Sequence, residues 1–489
     1  MPRLPKKLVL AYVDSLRTDM LERAVDEGRA PTFGALLERG VLVPDCVSSF
    51  PSVTPVASAE MVTGVTADRH WISGMNWYHR LERRYVEYGS SLDATRSVGV
   101  FRALYDLVYN MNLAHLNPDA ETLFERLDDA GVRTACTPFL IYRGRHRHQV
   151  TLEGLARRAV ESTRLHFRHH TWGPTELFYG DLYASRQLPC RSTSIPGNRD
   201  EYASCCAAEL AKADGYDFLL LSLPDNDSYS HRHGPEATVE SIARADRCFA
   251  DLVAACGDLD RFLASHAVVM LADHAQTPVR RGLPLAELLA REWDVLRPSD
   301  DRPELAQLAV SPTGRAAHVY LLPGEGPRAD RDEVRRRLVE TEGIDLVCGR
   351  DGDAAAVEGR RGRLRFRPGD AVRDLRGVGW EIEGEERALE GRVEAGRFLS
   401  EQYPDALTRV WSALASPGGG DFVVSLAPGY ETVDWGGVSH AGGGSHGALH
   451  RDDSLGPLLF VGCGPDSADE REQWALRDVV PVVLEHFGL

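Results

Sequence analysis

The sequence predicts an α/β protein in which helices cover both faces of a mostly parallel β-sheet. Apolar runs of strand length alternate with helical patterns along much of the 489-residue chain, as is typical of such sheets. Three of these runs, 7–13, 218–223 and 267–272, are each followed within four residues by an aspartate. Because ligands bind beyond the carboxyl ends of parallel strands, we expect the three aspartates to lie together at one edge of the sheet.

The individual elements follow from local signals in chain order. Gly40, Gly64 and Gly131 each end a predicted helix, because glycine readily adopts the left-handed conformation of a C-terminal cap. Residues 138–200 have weak periodicity and predict loops and short helices over the sheet edge. The predicted helices are 19–27, 33–39, 55–63, 118–130, 199–213, 236–255, 331–341 and 474–486, and the predicted strands are 7–13, one from Val41, 132–137, 218–223, 267–272, 316–322, 421–426 and 458–461.

The pattern changes after residue 280, where short elements and an Arg/Glu/Gly-rich stretch replace the regular alternation. The candidate ligands lie both before and after this part of the chain, which argues against tandem domains. We therefore predict one core formed by 1–280 and 421–489, interrupted by a smaller inserted cap or accessory region at 281–420.

Composition excludes several classes of protein. The formal net charge of -17 argues against binding to a nucleic-acid polymer, which needs a basic surface. The apolar run at the N-terminus, 8–13, is too short for a signal peptide, and no stretch reaches the ~18 apolar residues that span a membrane. Nine scattered cysteines without a Cys-x-x-Cys pair predict reduced thiols and a cytoplasmic location.

Carboxylates and imidazoles at the ends of the strands predict a site for two divalent metal ions. Such ligands suit Zn²⁺, although they also accept manganese or iron. Each residue alone has an ordinary interpretation, as a turn, a cap or a surface group, so the prediction depends on the joint pattern. The candidate ligands are Asp14, Asp227, His231, Asp273, His274 and His446, with the hydroxyl of Thr54 as a further one.

Thr54 precedes Pro55, and proline is favoured at the first position of a helix, so we predict Thr54 as the N-cap. Its hydroxyl then lies beside backbone N–H groups that can hold an anion. An alcohol is a weak nucleophile, but two metal ions ~3.5–4 Å apart can activate it and stabilise the leaving oxygen. Taken alone, this threonine is only a helix cap.

At these residues the chain resembles the alkaline phosphatase superfamily, and within it the type I phosphodiesterase/nucleotide pyrophosphatase branch. The motifs occur in the family's order: the strand ending at Asp14, Ala30-Pro31-Thr32, Phe50-Pro51-Ser52-Val53-Thr54, Thr63-Gly64, His70, 224–235, Ala272-Asp273-His274 and Ser445-His446-Gly447. The resemblance implies an alkaline-phosphatase-like fold, with Asp227, His231 and His446 around one zinc and Asp14, Asp273, His274 and Thr54 around the other. It also implies that Thr54 attacks phosphorus to form a phospho-threonine, which water then hydrolyses.

Some positions depart from the family pattern. Family diesterases carry Asn three residues after the nucleophile, where this chain has Ala57, and Ala275 replaces the usual Gly after Asp-His. Their phosphate-binding Asn falls at Met75, so we assign substrate binding to Asn76 through a one-residue shift. The Cys/Ser-x-Pro-x-Arg pattern of sulfatases is absent.

The resemblance predicts a two-metal phosphoric ester hydrolase whose partner is a small phosphate ester or nucleotide. A phosphomonoesterase or phosphonate hydrolase with the same metals is the enzymatic alternative. A catalytically inactive binding protein on this scaffold is the alternative from another class, because fold likeness alone does not settle function.

Overall fold

The computed structural model describes residues 6–149, 170–180, 182–191, 198–300 and 302–489. Its main sheet has eight strands, in the order β2-β25-β11-β1-β10-β5-β8-β9. The strands from β11 to β8 run parallel, whereas β25, β2 and β9 pair in the antiparallel sense. The predicted α/β class is therefore confirmed.

The strands have the following bounds: β1 Lys7–Val13, β2 Val41–Val47, β3 Asn76–His79, β4 Arg84–Glu87, β5 Thr134–Cys136, β6 His146–Gln149, β7 His170–Gly173, β8 Glu176–Tyr179, β9 Tyr183–Ala184, β10 Phe218–Leu223, β11 His266–Leu271, β12 Thr277–Leu283, β13 Val295–Leu296, β14 Leu308–Thr313, β15 Ala316–Leu321, β16 Ile344–Asp351, β17 Ala354–Gly359, β18 Gly362–Arg373, β19 Gly379–Gly384, β20 Arg392–Glu394, β21 Arg397–Leu399, β22 Phe422–Leu426, β23 Gly429–Thr432, β24 Gly444–Ser445 and β25 Leu455–Val461.

The helices of the described residues are α1 Thr18–Asp26, α2 Pro31–Leu37, α3 Thr54–Thr63, α4 Ala67–His70, α5 Leu92–Val98, α6 Val100–Tyr105, α7 Leu123–Asp129, α8 Arg199–Lys212, α9 Asp225–His233, α10 Val239–Ala255, α11 Leu259–Ser265, α12 Leu285–Leu289, α13 Arg331–Glu340, α14 Ala406–Ala415, α15 Arg451–Ser454 and α16 Val479–His486. A π-helix spans Asp106–His115.

Two apolar cores lie on opposite faces of the main sheet. Alternate residues of β1 point to opposite sides, so Leu8 and Leu10 belong to one core and Val9 and Ala11 to the other. Helices α3, α7 and α16 cover the first face, and α1, α2, α8 and α10 cover the second. This burial on both faces explains why the central strands are almost continuously apolar.

The register of β1 aligns three strand ends at one edge. Val13 lies opposite Leu223 at the end of β10, and Tyr12 lies opposite Leu271 at the end of β11. The residues that follow these strands therefore emerge side by side, as predicted for Asp14, Asp227 and Asp273.

A second sheet of ten strands is built from residues 295–426, in the order β13-β14-β15-β22-β16-β17-β18-β21-β20, with β19 paired to β18. The strand predicted at 421–426 was expected to return to the core, but β22 pairs with β15 and β16 of this second sheet. The division into a core and an inserted region stays a prediction, and β22 belongs structurally with the inserted part.

Several predicted bounds need correction. Thr122, with Glu125, forms a capping box, so α7 begins at Leu123 and not near 118. Helix α2 ends at a C-cap on Glu38, two residues before Gly40. Four short strands, β6 to β9, lie in the described parts of 138–200, where loops and helices were predicted; 150–169, 181 and 192–197 lie outside the described residues. Strands of two to four residues are too short for periodicity to detect.

The expectation of reduced thiols is wrong for one pair of cysteines, because Cys190 and Cys205 are joined in a disulfide. The other seven cysteines are free, and five of them are buried. Across the described part of the chain, no helix combines the length and apolar character needed to cross a membrane.

Candidate metal centre

Asp227 and His231 are supplied by the first turns of α9, which begins two residues after β10. Their four-residue spacing places both side chains on one face of the helix. The Nε2 atom of His231 lies 3.3 Å from Oδ1 of Asp227. His446 approaches from a distant loop, with its Nε2 atom 3.6 Å from the same oxygen. We call these three residues the Asp227 group.

Asp14, Asp273 and His274 form a second cluster, which we call the Asp14 group. The Nε2 atom of His274 lies 3.1 Å from Oδ2 of Asp273 and 3.9 Å from Oδ1 of Asp14. All three side chains are buried. In each group, one possible ligand atom per residue lies within 4.8 Å of the others.

The two groups adjoin each other through their histidine rings. The ring of His274 stacks on that of His446, with centroids 3.7 Å apart and planes inclined by 16°. The structure therefore brings all six predicted ligands into one centre, in the two sets of three that the resemblance implied.

The three imidazoles are held with Nε2 facing the carboxylates. The Nδ1 atom of His231 hydrogen-bonds the carbonyl of Gly444 at 2.8 Å, and that of His446 bonds the carbonyl of Ser52 at 2.8 Å. The Nδ1 atom of His274 lies 3.2 Å from the carbonyl of Ala275. A carbonyl only accepts, so each Nδ1 carries a proton, and in the neutral form of each ring this leaves on Nε2 the lone pair that a metal needs.

The buried carboxylates of Asp14 and Asp273 and the half-buried carboxylate of Asp227 lie close together without enough positive charge to balance them. Burial and then the charge of Asp273 raise the pKa of Asp14 well above its usual value, and Oδ1 of Asp14 has no hydrogen-bond partner in the described structure. Burial also raises the pKa of Asp273 to about 6. Such a set of donors fits divalent cations, which would satisfy both the charge and the orphaned oxygen.

In the Asp227 group, a proton on His231 balances the negative charge of Asp227. Burial lowers the pKa of His231, but the charge of Asp227 outweighs this effect and raises the pKa to about 9. Burial raises the pKa of Asp227, yet the contact with His231 holds it well below its usual value. Burial lowers the pKa of His274 to about 4 and that of His446 to about 3, so both rings are neutral.

Thr54 faces this centre from the start of α3. Its Oγ1 atom lies 3.3 Å from Nε2 of His274. The helix has its N-cap at Val53, so Thr54 is the first helical residue and not the predicted cap. The hydroxyl is consequently free of a capping bond. Every residue of α3 after Thr54 is buried, which fixes the position of the helix start.

Ser15 joins the two groups and was not predicted as a site residue. Its Oγ atom donates to Oδ1 of Asp227 at 2.8 Å, and its backbone N–H donates to Oδ1 of Asp273 at 3.2 Å. Its φ of 58° is in the left-handed region, which is costly for serine. Gln276 adds a bond from Nε2 to Oδ1 of Asp227 at 2.6 Å. Both residues adjoin a predicted ligand, and that proximity was the only available signal.

The sequence profile of the type I phosphodiesterase/nucleotide pyrophosphatase family matches residues 8–388. The chain belongs to this family. It is accordingly a phosphoester hydrolase of the alkaline phosphatase superfamily, and the superfamily resemblance found in the sequence is confirmed.

Two solved structures share the family fold at low identity. Phosphonoacetate hydrolase from Sinorhizobium meliloti 1021, in complex with phosphonoformate, is 17% identical with a TM-score of 0.56, covering 100% of this chain and 96% of that one. Murine ectonucleotide pyrophosphatase/phosphodiesterase 5 is 14% identical with a TM-score of 0.57, covering 99% and 95%. An inactive form of the murine protein was solved in complex with AMP. A search of curated proteins gave no match.

Asn76, the predicted substrate ligand, is buried and engaged elsewhere. Its Nδ2 atom donates to the carbonyl of Pro312 at 2.6 Å, and its Oδ1 atom accepts from Oγ of Ser311 at 2.8 Å. Both ends of the amide are therefore held by β14 of the second sheet. Its role in substrate binding stays a prediction, which these hydrogen bonds do not favour.

Two arginines of the 138–200 segment, Arg143 and Arg145, form ion pairs with residues in and just before α7. Arg143 is buried and pairs with Glu125 at 3.0 Å, while it also donates to the carbonyl of Ala120. Arg145 pairs with Glu121, Glu125 and Asp129. These two side chains stabilise the start of α7, and neither is free for a substrate.

Glu431 does not belong to the Asp227 group but contacts two residues that adjoin its histidines. This buried carboxylate accepts from Nδ1 of His440 at 2.7 Å and from Oγ of Ser445 at 2.6 Å. The ring of His440 stacks on that of His231, with centroids 4.0 Å apart, and Ser445 directly precedes His446. One carboxylate thus fixes the neighbours of two histidines of the group.

We expect Glu431→Gln to weaken the binding of a divalent metal about 10–100-fold, because the hydrogen bonds of Glu431 hold the neighbours that position His231 and His446. Competition with a chromogenic chelator measures the affinity of each site. Glu342→Gln is the matched control, since Glu342 is exposed and accepts only from neighbouring surface groups such as the hydroxyl of Tyr430. Equal affinities in the two variants would contradict the role of Glu431.

A buried ion pair between Arg315 and Asp453 holds the loop that carries His446. Asp453 also accepts from the backbone N–H of Ala448 at 2.7 Å, and both side chains of the pair are fully buried. We expect Arg315→Met to lower the free energy of unfolding by about 3–5 kcal/mol, because it leaves a buried carboxylate unpaired. Denaturant unfolding measures the change, and adding Asp453→Asn should recover much of the loss. A double variant no more stable than the single one would refute this account.

Proposed function

We propose that this protein is a two-metal phosphodiesterase or nucleotide pyrophosphatase that acts through a phospho-threonine on Thr54. One observation carries the proposal: the hydroxyl of Thr54 lies 3.3 Å from His274, at the junction of two sets of three ligands. Two zinc ions, one in each group, would stabilise negative charge on the attacking and leaving oxygens. The residues that would hold them are Asp227, His231 and His446 for one, and Asp14, Asp273 and His274 for the other.

The protein's own residues position the nucleophile and stabilise the phosphate group that it attacks. Thr54 forms a bond to phosphorus as the bond to the leaving alcohol breaks, and water then attacks phosphorus and restores the hydroxyl. The backbone N–H of Thr54 makes no hydrogen bond to another described residue, so it can donate to a phosphate oxygen at the positive end of α3. The buried surroundings of α3 hold the nucleophile in one place.

The substrate we propose is a small phosphate diester or a nucleotide. Family membership supports this choice, as does a centre built from carboxylates and imidazoles in a chain of net charge -17, where the cations would reverse the local sign for an anionic substrate. We also propose a cytoplasmic location, which the Cys190–Cys205 disulfide makes less usual.

A second candidate is a phosphomonoesterase or phosphonate hydrolase using the same metals. Two observations favour it, since Ala57 stands where family diesterases have Asn and the amide of Asn76 is occupied by β14. The contacts that recognise a diester are therefore incomplete in the free protein.

Kinetics on bis-p-nitrophenyl phosphate and p-nitrophenyl phosphate, with phosphate release from phosphonoacetate as a third arm, separate the candidates. We expect the zinc-loaded protein to have its highest kcat/KM for the diester. A preference for the monoester or the phosphonate would establish the second candidate. No turnover of any of them in fully metal-loaded protein would support the non-catalytic alternative.

A further inference from the structure

A cavity of about 450 Å³ lies between the β3–β4 hairpin, helices α5 and α6, and the β13 edge of the second sheet. Its volume is in the range of small-molecule binding sites. Tyr85, Val98 and Leu296 supply apolar surface. The rim is lined by Arg83, Arg84, Arg102, Arg297, Glu82 and Asp300, with Pro298 beside them.

The positive charge of this rim is not balanced. Among the arginines of the rim, Arg84 is paired with a carboxylate, because its two terminal nitrogens donate to the oxygens of Asp106 at 2.6 and 2.9 Å. In the described part of the chain, Arg83, Arg102 and Arg297 form no ion pair. Three arginines without an ion-pair partner thus line one cavity of a protein whose net charge is -17.

The two carboxylates of the rim are already used in other ways. Glu82 pairs with Arg84. Asp300 accepts from the backbone N–H of Arg297 at 2.7 Å, which closes the turn beneath the cavity. Both carboxylates keep their negative charge, so they offset two of the four arginine charges on the rim and leave a net positive charge.

The cavity is built on fixed backbone. The hydroxyl of Tyr85 donates to the carbonyl of Leu296 at 2.9 Å and accepts from the N–H of Val310 at 3.1 Å. Arg83 has a φ of 52°, a left-handed conformation that glycine or asparagine would adopt at lower cost.

The cavity is separate from the metal centre. Leu296 lies opposite Ala309 in the register of β13 and β14. Gly314, just past the other end of β14, packs against the carbonyl of His446. The five residue steps from Ala309 to Gly314 span about 17 Å at the usual rise of a strand, so a ligand here does not touch the reacting atoms.

We propose that this cavity binds an organic phosphate, such as a nucleotide, at a site distinct from the metal centre. Guanidinium groups match phosphate oxygens in geometry and charge and form paired hydrogen bonds with them. Three of them suit a phosphate group, and the apolar floor beneath suits the ring or hydrocarbon part of the same molecule. The proposal holds whichever ester the metal centre hydrolyses.

Photolabelling of the full-length chain with 8-azidoadenosine 5′-monophosphate tests this proposal, with all measurements in the metal-loaded Thr54→Ala background. We expect label in the peptides that contain Val98–Arg102 and Leu296–Arg297. AMP and inorganic phosphate in excess should suppress it, whereas adenosine should not. Combined Arg83→Ala, Arg102→Ala and Arg297→Ala should reduce this labelling at least tenfold without changing the circular dichroism spectrum.

The matched control removes the same charge elsewhere, through Arg291→Ala, Arg336→Ala and Arg360→Ala, three exposed arginines outside the cavity. It should retain full labelling. Label confined to peptides of the metal centre, or labelling lost equally in both triple variants, would overturn the proposal. Suppression by adenosine as strong as by AMP would also overturn it, because the phosphate would then contribute nothing.

Discussion

Thr54→Ala is expected to lower kcat by at least about 10³-fold, because it removes the atom that forms the covalent intermediate while leaving the ligands in place. Thr54→Ser should retain measurable turnover, since it keeps a hydroxyl at the same backbone position. Steady-state kinetics on the best p-nitrophenyl ester, with elemental analysis of each variant, gives both quantities. Metal content should match the parent in all of them, because the six other ligands are unchanged.

Ser52→Ala is the matched control for this prediction. Ser52 is a buried hydroxyl residue just before Thr54, but its Oγ atom is engaged in donating to the carbonyl of Ala448 at 2.9 Å. It should retain most of the activity. Acid quenching during turnover should also trap phosphate on the peptide that contains Thr54. Full activity in Thr54→Ala, or a phosphopeptide elsewhere, would refute the covalent route.

The sequence predicts the part of the centre that follows buried strands. Strand β1 was predicted with its observed bounds, Lys7–Val13, because an apolar run between Lys6 and Asp14 allows one interpretation only. The end of β10 at Leu223 was equally clear. Once these ends are known and the strands are parallel, the proximity of the aspartates follows from the sheet itself.

Two strands of the second sheet, β15 and β22, were predicted from their apolar runs, whereas its outer strands were not predicted because they are polar. Strand β18 carries arginines that pair with neighbouring carboxylates, as Arg365 does with Asp353 at 3.0 Å and Arg367 with Glu381 of β19 at 2.6 Å. These side chains lie on an exposed face and give no apolar alternation over much of their length. A stretch rich in Arg, Glu and Gly therefore has the composition of a loop, although its residues form a ladder.

The supporting residues of the centre could not be found from the sequence for a different reason. Glu431 acts through His440 and Ser445, and Ser15 acts through Asp227, which is 212 residues away. Each contact depends on the packing of loops that the sequence does not specify. Similarly, the one-residue shift proposed for Asn76 could not anticipate that β14 would hold its amide.

Asp14→Asn is expected to change stability in opposite directions with and without metal. In the metal-free protein, Asp14 is buried beside Asp273 and Asp227, its Oδ1 atom has no hydrogen-bond partner among the described residues, and burial raises its pKa. Replacing this carboxylate with a neutral amide removes like-charge repulsion and should stabilise the metal-free chain by about 1–2 kcal/mol at mildly alkaline pH. A ligand of one metal is lost at the same time.

With zinc present, the parent should gain stability that rises with the logarithm of its affinity for the ions, whereas Asp14→Asn should gain less. Differential scanning fluorimetry with and without a chelator gives four Tm values that test both parts. We expect the variant to unfold above the parent without metal and below it with metal. Asp225→Asn is an informative comparison, because this neighbouring carboxylate is paired with Arg199 at 2.9 Å and its loss should destabilise both forms. If Asp14→Asn lowered the Tm of the metal-free protein as Asp225→Asn does, the cluster would be an ordinary polar network, and its excess of negative charge would no longer argue for cations.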